Sequence, residues 1–396
     1  MHLSLRLLLE TVSAAAAVGC LCFYALSLAG LVSFLGSTRK ASARLQSAES
    51  AFPPVSILKP LKGVDPEIWE SFCSHAEQDY TEFELIFGVS DPADPACDVV
   101  RRLQAKYPAR AIRLVVGERI LGANVKVSTL AQMAPEACYD VLLVNDSDIR
   151  VAPDYLRQVV APLRDPQVGL VTCLYRGVAA ATIGSRLEAL GISTDFAPGV
   201  LSARFLEGGL RFGLGSTLVF RRADLAAIGG FEAILDYLAD DYELGRRLAA
   251  SGKRVELSSA VVATFLPAYK LREFWRHQLR WWRTIRDARR WGYAGLLFTF
   301  GLPWALAALA ASGGAAWAWA LFAVTLGMRL LVGLGTAGAV LKDRNALRNV
   351  WLLPVRDLIA PCVWAAGLFG NRIHWRGDEF ELKAGRLRRT GELTRG

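Results

Sequence analysis

The sequence contains seven cysteines but no C-x-x-C pair. Zinc sites and thioredoxin-like redox centres depend on such spacing, so neither class of site has support here. The cysteines are scattered along the chain, and Cys20 and Cys22 lie inside an apolar run. We therefore expect free thiols and a reducing compartment.

Two long stretches, 12–35 and 293–328, contain no charged residue. Of the 396 residues, 53% are hydrophobic, and the mean hydropathy is +0.28. These values exclude an ordinary soluble enzyme. Lys and Arg number 46 against 37 Asp and Glu, and the resulting charge of +9 suits anionic lipid headgroups. Nucleic acid is the other partner for a basic chain, but the long uncharged runs disfavour it.

The first uncharged stretch predicts a transmembrane anchor, because it is long enough to cross a bilayer. Arg39, Lys40 and Arg44 follow it directly, and the positive-inside rule places the chain after them in the cytoplasm. A cleavable signal peptide is the alternative, but the run is long for one and no A-x-A site precedes the basic flank. We assign residues 1–45 to the anchor and 46–268 to a soluble domain.

Short β-rich runs alternate with helical patterns over 53–265. The runs are 55–58, 85–89, 112–116, 141–144 and 168–171, and the helical patterns lie near 66–77, 95–106 and 153–163. This alternation predicts an α/β domain with a mostly parallel, doubly wound sheet. Ligands of such sheets bind beyond the carboxyl ends of the strands.

The remaining chain predicts membrane contact. Residues 269–292 form a basic segment with four Trp residues and helical spacing of its apolar side chains, which indicates an amphipathic helix in the membrane interface. The final segment, 293–396, begins with a predicted helical hairpin of 295–312 and 315–340. A further apolar stretch, 350–369, contains Arg356 and Asp357, and we expect this ion pair to face protein or water. The stretch is either re-entrant or a full span with an exported tail.

Two acidic clusters each follow an apolar run. Asp146 and Asp148 have D-x-D spacing, and in extended backbone both side chains point to the same side. Together they could bind one Mg²⁺ or Mn²⁺ that bridges diphosphate oxygens; the alternative is a solvated Asx turn. In the second cluster, Asp240 and Glu243 fit a capping box for a helix over 241–250, which would leave Asp241 free to act as a general base.

Other polar residues have two interpretations each. Asp91 follows a predicted strand and could accept the N–H of a uracil ring, or could simply form a turn with Pro92. Lys59 and Lys126 could contact phosphate, or could be surface lysines. The glycines of 208–215 could form a tight loop near a ligand or an ordinary turn. The remaining candidates, His277, Arg280 and Trp281, belong to the predicted amphipathic helix. Arg280 could pair with a diphosphate and Trp281 could line an acceptor site, or the helix could simply anchor in lipid headgroups.

The ordered set of motifs resembles the ceramide glucosyltransferase family, and most closely the bacterial hopanoid-associated glycosyltransferases. The motifs are SILKPLKG at 56–63, DPADP at 91–95, GANVK at 122–126, DSDIRV at 146–151, DDY at 240–242 and RW at 280–281. VGLVTCLYR at 168–176, PVRD at 354–357 and HWRG at 374–377 are similar to the hopanoid-associated branch. The resemblance spans residues 53 to 390.

The resemblance implies a GT-A fold, a UDP-sugar donor and an inverting transfer of one hexose onto a lipid hydroxyl. It implies that Asp91 contacts uridine, that Asp146 and Asp148 form the nucleotide and metal site, and that Asp241 is the base. Arg280 and Trp281 match the end of the family's Q/R-x-x-R-W element. The first position of that element is His277 here, which departs from the family pattern.

The sequence therefore predicts a multi-pass enzyme of the bacterial cytoplasmic membrane that transfers glucose or N-acetylglucosamine to a hopanoid or ceramide. Ceramide enzymes of the family often lack the second acid of the D-x-D, so the presence of Asp148 argues against strict ceramide specificity. Two alternatives stay open. A processive polysaccharide synthase would share the D-x-D and R-W elements, and a non-catalytic nucleotide-sugar sensor would share the donor site.

Overall fold

The computed structural model describes residues 2–46, 52–375 and 378–389. These residues fall into two compact units. The helical unit comprises Met1–Gly36, Ala179–Leu206 and Ala268–Asn371, and the α/β unit comprises Ser37–Val178, Glu207–Pro267 and Arg372–Gly396. Ala179–Leu206 groups with the apolar helices although it interrupts the α/β region of the chain. Arg376 and Gly377 of the predicted HWRG motif, and the predicted basic tail beyond 389, lie outside the described residues.

The described strands are β1 Val55–Pro60, β2 Phe83–Val89, β3 Ala111–Val116, β4 Val141–Val144, β5 Ile149–Arg150, β6 Val168–Val178, β7 Leu218–Arg221, β8 Arg254–Phe265, β9 Arg372–Trp375, β10 Asp378–Lys383 and β11 Arg386–Arg389. β1 to β8 form one sheet in the order β3-β2-β1-β4-β7-β6-β8-β5, and β9 to β11 form a second, antiparallel sheet. All five predicted β-rich runs are strands of the larger sheet.

The described helices are α1 His2–Gln46, α2 Ile68–Ala76, α3 Ala96–Lys106, α4 Val125–Met133, α5 Tyr155–Val160, α6 Ile183–Gly191, α7 Ala197–Leu206, α8 Arg222–Ala227, α9 Asp240–Ala250, α10 Leu271–Ala288, α11 Arg290–Gly295, α12 Gly301–Ala311, α13 Ala316–Gly335, α14 Arg344–Arg348 and α15 Leu353–Gly367. Single turns of 3-10 helix occur at Ala134–Glu136, Ala161–Arg164, Phe231–Ile234, Leu296–Thr299 and Val350–Leu352, and π-helical turns occur at Ile192–Phe196 and Thr336–Val340.

The larger sheet is mixed but mostly parallel, with β1 paired in parallel to both β2 and β4. The central strands β1, β2 and β4 are buried along their whole length, because helices cover parallel sheets on both faces. One face forms a core with α2, α3 and α5, to which Phe72, Val100 and Leu156 contribute. This arrangement places the residues after β1, β2 and β4 at one edge of the sheet.

Three helical segments of the described residues are long and apolar enough to cross a membrane: Ser4–Lys40, Ala316–Val340 and Val350–Gly367. The predicted first arm of the hairpin, 295–312, is instead broken, with a bend of 56° between Arg290–Thr299 and Gly301–Ala311. Pro303 explains the break, since its ring clashes with a preceding helical turn and is tolerated only in the first turn of a helix. The pair is either a broken span or a re-entrant loop.

Buried charges hold the helical unit together. Arg329 of α13 donates from Nη2 to Oδ1 of Asp357 on α15 at 2.7 Å, and Arg356 donates from Nε to Oδ2 of Asp195 at 2.7 Å. Arg329 also pairs with Asp195. Arg356 and Asp357 do face protein, but the predicted pairing of these two with each other is wrong. Adjacent residues of a helix point in different directions, so each reaches a partner on another element.

Candidate active site

The D-x-D segment follows β4 and is held from beneath by buried polar groups. Asn145, which is completely buried, donates from Nδ2 to the main-chain oxygen of Ser216 at 2.6 Å and to the hydroxyl of Tyr155 at 3.0 Å. Buried polar groups of this kind fix one geometry when their hydrogen bonds are satisfied. Asp146 and Asp148 therefore start from a rigid position at the carboxyl end of the strand.

Lys59 lies beneath this segment and is fully buried. Its ammonium donates to the main-chain oxygen of Asp146 at 2.9 Å and lies 3.5 Å from Nε2 of His75. Burial lowers the pKa of Lys59 to about 7, against the opposing effect of the Asp148 and Asp146 carboxylates. The predicted contact of Lys59 with phosphate stays a prediction.

Asp148 is a half-buried carboxylate, and few hydrogen bonds offset the loss of its hydration. Its Oδ2 atom accepts a hydrogen bond from the hydroxyl of Thr264. Burial and the neighbouring Asp146 raise the pKa of Asp148 to about 6, and Asp65 adds to the effect. A site that disfavours a carboxylate's charge in this way would favour a cation.

Lys126 joins the two acidic clusters. Its ammonium lies 2.8 Å from Oδ1 of Asp146 and 3.2 Å from Oδ2 of Asp240. These carboxylates raise the pKa of Lys126 above its usual range, although burial alone would lower it. Lys126 is in the first turn of α4, which Asn124 caps by accepting from the N–H of Val127 at 3.2 Å. The two carboxylates thus share one charged partner inside the site.

The predicted capping box at Asp240 is wrong. The side chain of Asp240 pairs with Lys126, and Glu243 instead accepts from Arg246 at 2.7 Å and from Arg247 at 2.9 Å. The residue before α9, Ala239, supplies no side-chain cap, and Oδ1 of Asp241 accepts from the N–H of Tyr242 at 2.8 Å. Charged partners outcompete the backbone N–H groups here, because hydrogen bonds between ionised groups are the stronger ones.

Asp241 has the properties of a general base: it is partly buried, and its pKa is raised. Burial and the adjacent Asp240 raise the pKa of Asp241 to about 6, and Lys126 opposes them. A side chain at Gly215 would place its Cβ 3.2 Å from Oδ2 of Asp241 and 3.4 Å from Oδ2 of Asp146. Both carboxylates therefore converge on the space that Gly215 leaves open.

The donor set suits a divalent cation held jointly with a substrate. Among the residues that the structure describes, no group of three or more His, Cys, Asp or Glu side chains could hold a metal. Asp146 and Asp148 supply two carboxylates, which are oxygen ligands of the kind that Mg²⁺ prefers. Mg²⁺ commonly uses one or two carboxylates together with substrate phosphates. The residues present fit such a partial site.

Asp91 lies at the same edge of the sheet but forms a turn. Its Oδ1 atom accepts from the N–H of Ala93 at 2.8 Å, and its side chain is exposed. It follows β2, while Asp146 follows β4, and β1 lies between these strands. Two strand spacings correspond to about 10 Å. The predicted contact of Asp91 with uridine stays a prediction.

The remaining candidates lie on α10 of the helical unit. The ring of His277 lies between Tyr269 and Trp281, with ring centroids 5.4 and 5.7 Å away, and Trp281 packs edge-on against Phe196. Arg280 is half-buried on the same helix. The roles of His277, Arg280 and Trp281 in binding stay predictions.

Glu188 is a residue of this region that sequence reasoning missed. It is 2% exposed, lies 3.2 Å from Nδ1 of His277, and accepts from Nε2 of Gln278 at 2.7 Å. Burial would raise the pKa of Glu188, but His277, Arg356 and Gln278 together hold it below its ordinary value. The available signal was a single acid within the apolar pattern of α6.

Comparisons with known proteins establish the class. The family model for glycosyl transferase family 21 matches residues 16–388, and the chain belongs to this family. The chain is 25% identical to ceramide glucosyltransferase 3 of Caenorhabditis elegans, over 85% of this chain and 74% of that one. It is 23% identical to ceramide glucosyltransferase 1 of the same organism, over 96% and 82%. The protein is a ceramide glucosyltransferase-like hexosyltransferase.

Among solved structures, the chain is similar to a mannosyltransferase from Pyrobaculum calidifontis, which was solved in complex with GDP-mannose and Mn²⁺. The TM-score is 0.51 and the identity 20%, over 89% of this chain and 99% of that one. This likeness confirms the predicted GT-A-like α/β fold. The family match confirms the resemblance to ceramide glucosyltransferases, whereas no comparison supports the hopanoid-associated branch in particular.

Proposed function

We propose that the protein transfers a single hexose from a UDP-sugar to a hydroxyl group of a membrane lipid of the ceramide or hopanoid type. The observation that carries this proposal is the ammonium of Lys126, which joins Asp146 to Asp240. The contact assembles a D-x-D pair and a candidate base in one site. The relatives named as ceramide glucosyltransferases support glucose as the donor sugar and a lipid as the acceptor.

The proposed chemistry is a single displacement at the anomeric carbon. Asp241 takes the proton of the lipid hydroxyl while that oxygen forms the new glycosidic bond. The bond between the anomeric carbon and the β-phosphate oxygen breaks, and UDP leaves with its electron pair. Attack and departure occur on opposite faces of the sugar, so the anomeric configuration inverts.

Asp146 and Asp148 are the residues proposed to hold Mg²⁺ or Mn²⁺. When bound, the cation would neutralise the charge of the departing diphosphate. Lys126 would add a second positive charge at Asp146, within reach of a donor phosphate. The Mn²⁺ complex of the Pyrobaculum mannosyltransferase supports this proposal.

The roles proposed for the R-W element rest on the family resemblance. Arg280 would hold the diphosphate, Trp281 would line the acceptor site, and His277 would donate a hydrogen bond there. Asp91 is likewise proposed to contact uridine, and Lys59 to support the D-x-D segment from beneath.

The position of the C-terminal strands constrains the proposed topology. β9 to β11 belong to the same compact unit as Asp146 and Asp241, which supports a common side of the membrane for both. A common side argues against an exported tail and for an even number of crossings between Pro267 and Arg372. We propose that Ala316–Val340 and Val350–Gly367 both cross and that the bent pair before them is re-entrant. Arg39 and Lys40 support a cytoplasmic side in a bacterial cytoplasmic membrane.

Purified protein in detergent, supplied with Mn²⁺ and labelled UDP-hexoses, tests the proposed function. Ceramide, hopanoid polyol and diacylglycerol are offered as separate acceptors, and the products are resolved by thin-layer chromatography. One labelled lipid supports the proposal and identifies both substrates. Labelled polymer at the origin would identify a processive polysaccharide synthase instead, and donor binding without any product would identify a sensor.

A further inference from the structure

The loop 235–239 immediately precedes Asp240 and Asp241 and makes hydrogen bonds on two sides. On one side, the N–H of Asn124 donates to the main-chain oxygen of Leu235 at 2.8 Å, and Nδ2 of Asn124 donates to that of Tyr237 at 2.7 Å. Asn124 also begins the helix that carries Lys126. This side of the loop therefore links the candidate base to the residue that joins the two acidic clusters.

The C-terminal hairpin of β10 and β11 holds the other side of the loop. The N–H of Leu387 donates to the main-chain oxygen of Asp236 at 2.7 Å, and the N–H of Leu238 donates to that of Gly385 at 3.1 Å. These two bonds flank Tyr237 and Arg386, which face each other as an antiparallel bridge. The guanidinium of Arg386 also lies 5.2 Å from the centre of the Tyr237 ring.

Apolar contacts reinforce these hydrogen bonds. The residues that form this cluster are Leu238, Ile373, Phe380, Leu382 and Leu387, all less than 9% exposed, with Ala123 packed against them. Each of the three strands contributes to one apolar face, and Leu238 of the loop packs against that face. A sheet of three such short strands has little stability without a partner for that face. The C-terminal sheet and the loop therefore depend on each other.

The turn between β10 and β11 is shaped for this contact. Ala384 and Gly385 both have positive φ angles, 51° and 77°. This is the geometry of a tight two-residue hairpin, and it is costly for alanine because of its Cβ atom. In the same turn the main-chain oxygen of Gly385 points to Leu238 and accepts a hydrogen bond from its N–H.

We propose that the C-terminal sheet of β9, β10 and β11 is a positioning element of the active site, which holds the loop 235–239 so that Asp241 stays at the reacting hydroxyl. In this proposal the sheet acts on the rate through the loop. The inference rests on the proposed function for its effect on rate. A carboxylate displaced by about 1 Å can lose a hundredfold in rate, so the loss of this support should lower kcat.

The test uses the full chain with a removable covalent link. Tyr237 and Arg386 form a non-hydrogen-bonded pair, whose Cβ atoms lie about 4.5–5.5 Å apart in antiparallel sheets and can be bridged by a disulfide with little adjustment. Leu387→Ala weakens the apolar contact, and Tyr237→Cys with Arg386→Cys restores the contact when oxidised. Leu103→Ala, in the buried core around α3, is the matched control for a general loss of stability.

We expect Leu387→Ala to lower kcat at least tenfold while the donor KM stays within about threefold, and to raise hydrogen exchange over 235–241. Oxidation of the triple variant should restore kcat, and a thiol reductant should abolish the recovery. Leu103→Ala should show neither the selective fall nor the rescue. An unchanged kcat in Leu387→Ala, or a disulfide that forms without restoring kcat, would overturn the proposal.

Failure of the proposed function gives a different result. A wild-type protein that transfers no hexose would refute that function. Disulfide formation and the hydrogen exchange of 235–241 would still report whether the sheet holds the loop. Failure of the disulfide to form in the otherwise unaltered chain would contradict the contact itself.

Discussion

The ammonium of Lys126 lies 3.2 Å from the Oδ2 atom of Asp240, and this contact connects the start of α4 to the start of α9. The same ammonium lies 2.8 Å from Asp146. The positive charge of Lys126 therefore allows the two acidic segments to approach each other before any divalent cation binds. Buried carboxylates without such a partner are strongly destabilising.

Lys126→Met should lower the melting temperature in metal-free buffer, because it leaves Asp146 and Asp240 without their shared cation. Saturating Mn²⁺ should recover part of the loss, since a second cation can then occupy the acidic site. Thermal unfolding in detergent, with EDTA and with Mn²⁺, measures both effects. Lys106→Met is the control, since this lysine is exposed and 3.8 Å from its acidic partner Glu77. Equal melting temperatures for wild type and Lys126→Met in EDTA would contradict the proposed role.

Asp241→Asn should lower kcat by at least a hundredfold, the lower range for the loss of general-base catalysis. The affinity for UDP should change by less than about threefold, because the donor's diphosphate is proposed to bind at Asp146 and Asp148. Transfer rates and calorimetric UDP binding test the two parts separately. Asp154→Asn, at an exposed surface position, should leave both unchanged. Near-wild-type turnover by Asp241→Asn would show that another group accepts the proton.

The rate should depend on pH with an acid limb near pH 6. Burial and Asp240 raise the pKa of Asp241 to about 6, and this carboxyl must be ionised to accept a proton. Activity is therefore lost as the pH falls through 6 and is level above about pH 7. A profile of kcat/KM from pH 4.5 to 8 at saturating Mn²⁺ measures this limb. A midpoint near pH 4 would mean that the raised pKa of Asp241 does not govern the reaction.

Asp357→Asn should destabilise the helical unit, because it removes one partner of a buried ion pair and leaves Arg329 undercompensated. Such a change typically costs about 3–5 kcal/mol, whereas apolar replacement of both partners is often tolerated. Arg329→Met combined with Asp357→Leu should therefore melt at a higher temperature than Asp357→Asn alone. The measurement is thermal unfolding in detergent. A single variant as stable as wild type would show that Asp195 alone compensates Arg329.

Sequence patterns predicted secondary structure well where composition, periodicity or a proline within a few residues determines the element. The five β-rich runs of the α/β region became strands because their composition favours extended backbone, and four of them are buried, whereas the run in β3 is mostly half-buried. α10 formed as predicted, at Leu271–Ala288, with Leu271 and Trp275 exposed and Phe274 and Gln278 buried. The break before α12 was readable in principle from Pro303, whose ring cannot continue a helix.

Predictions failed where a charged residue far away in the sequence provided a stronger partner than the neighbouring groups did. Asp240 and Glu243 have the spacing of a capping box, but Lys126 and two arginines provide stronger partners. Arg356 and Asp357 are neighbours in sequence, yet each pairs with a charge on another element. A pattern within ten residues contains no information on such partners.

The sequence by itself determined the class of this protein: an α/β glycosyltransferase with apolar helices, and acidic residues that follow its strands. Strand composition, apolar run length and ordered motifs are local properties, so the sequence alone reveals them. Only the tertiary structure decided that Lys59 lies beneath the D-x-D segment, that Lys126 joins both acidic clusters, and that the C-terminal strands hold the loop before Asp241. Each of these contacts joins residues far apart in the chain, and their proximity arises only when the sheet and its helices pack.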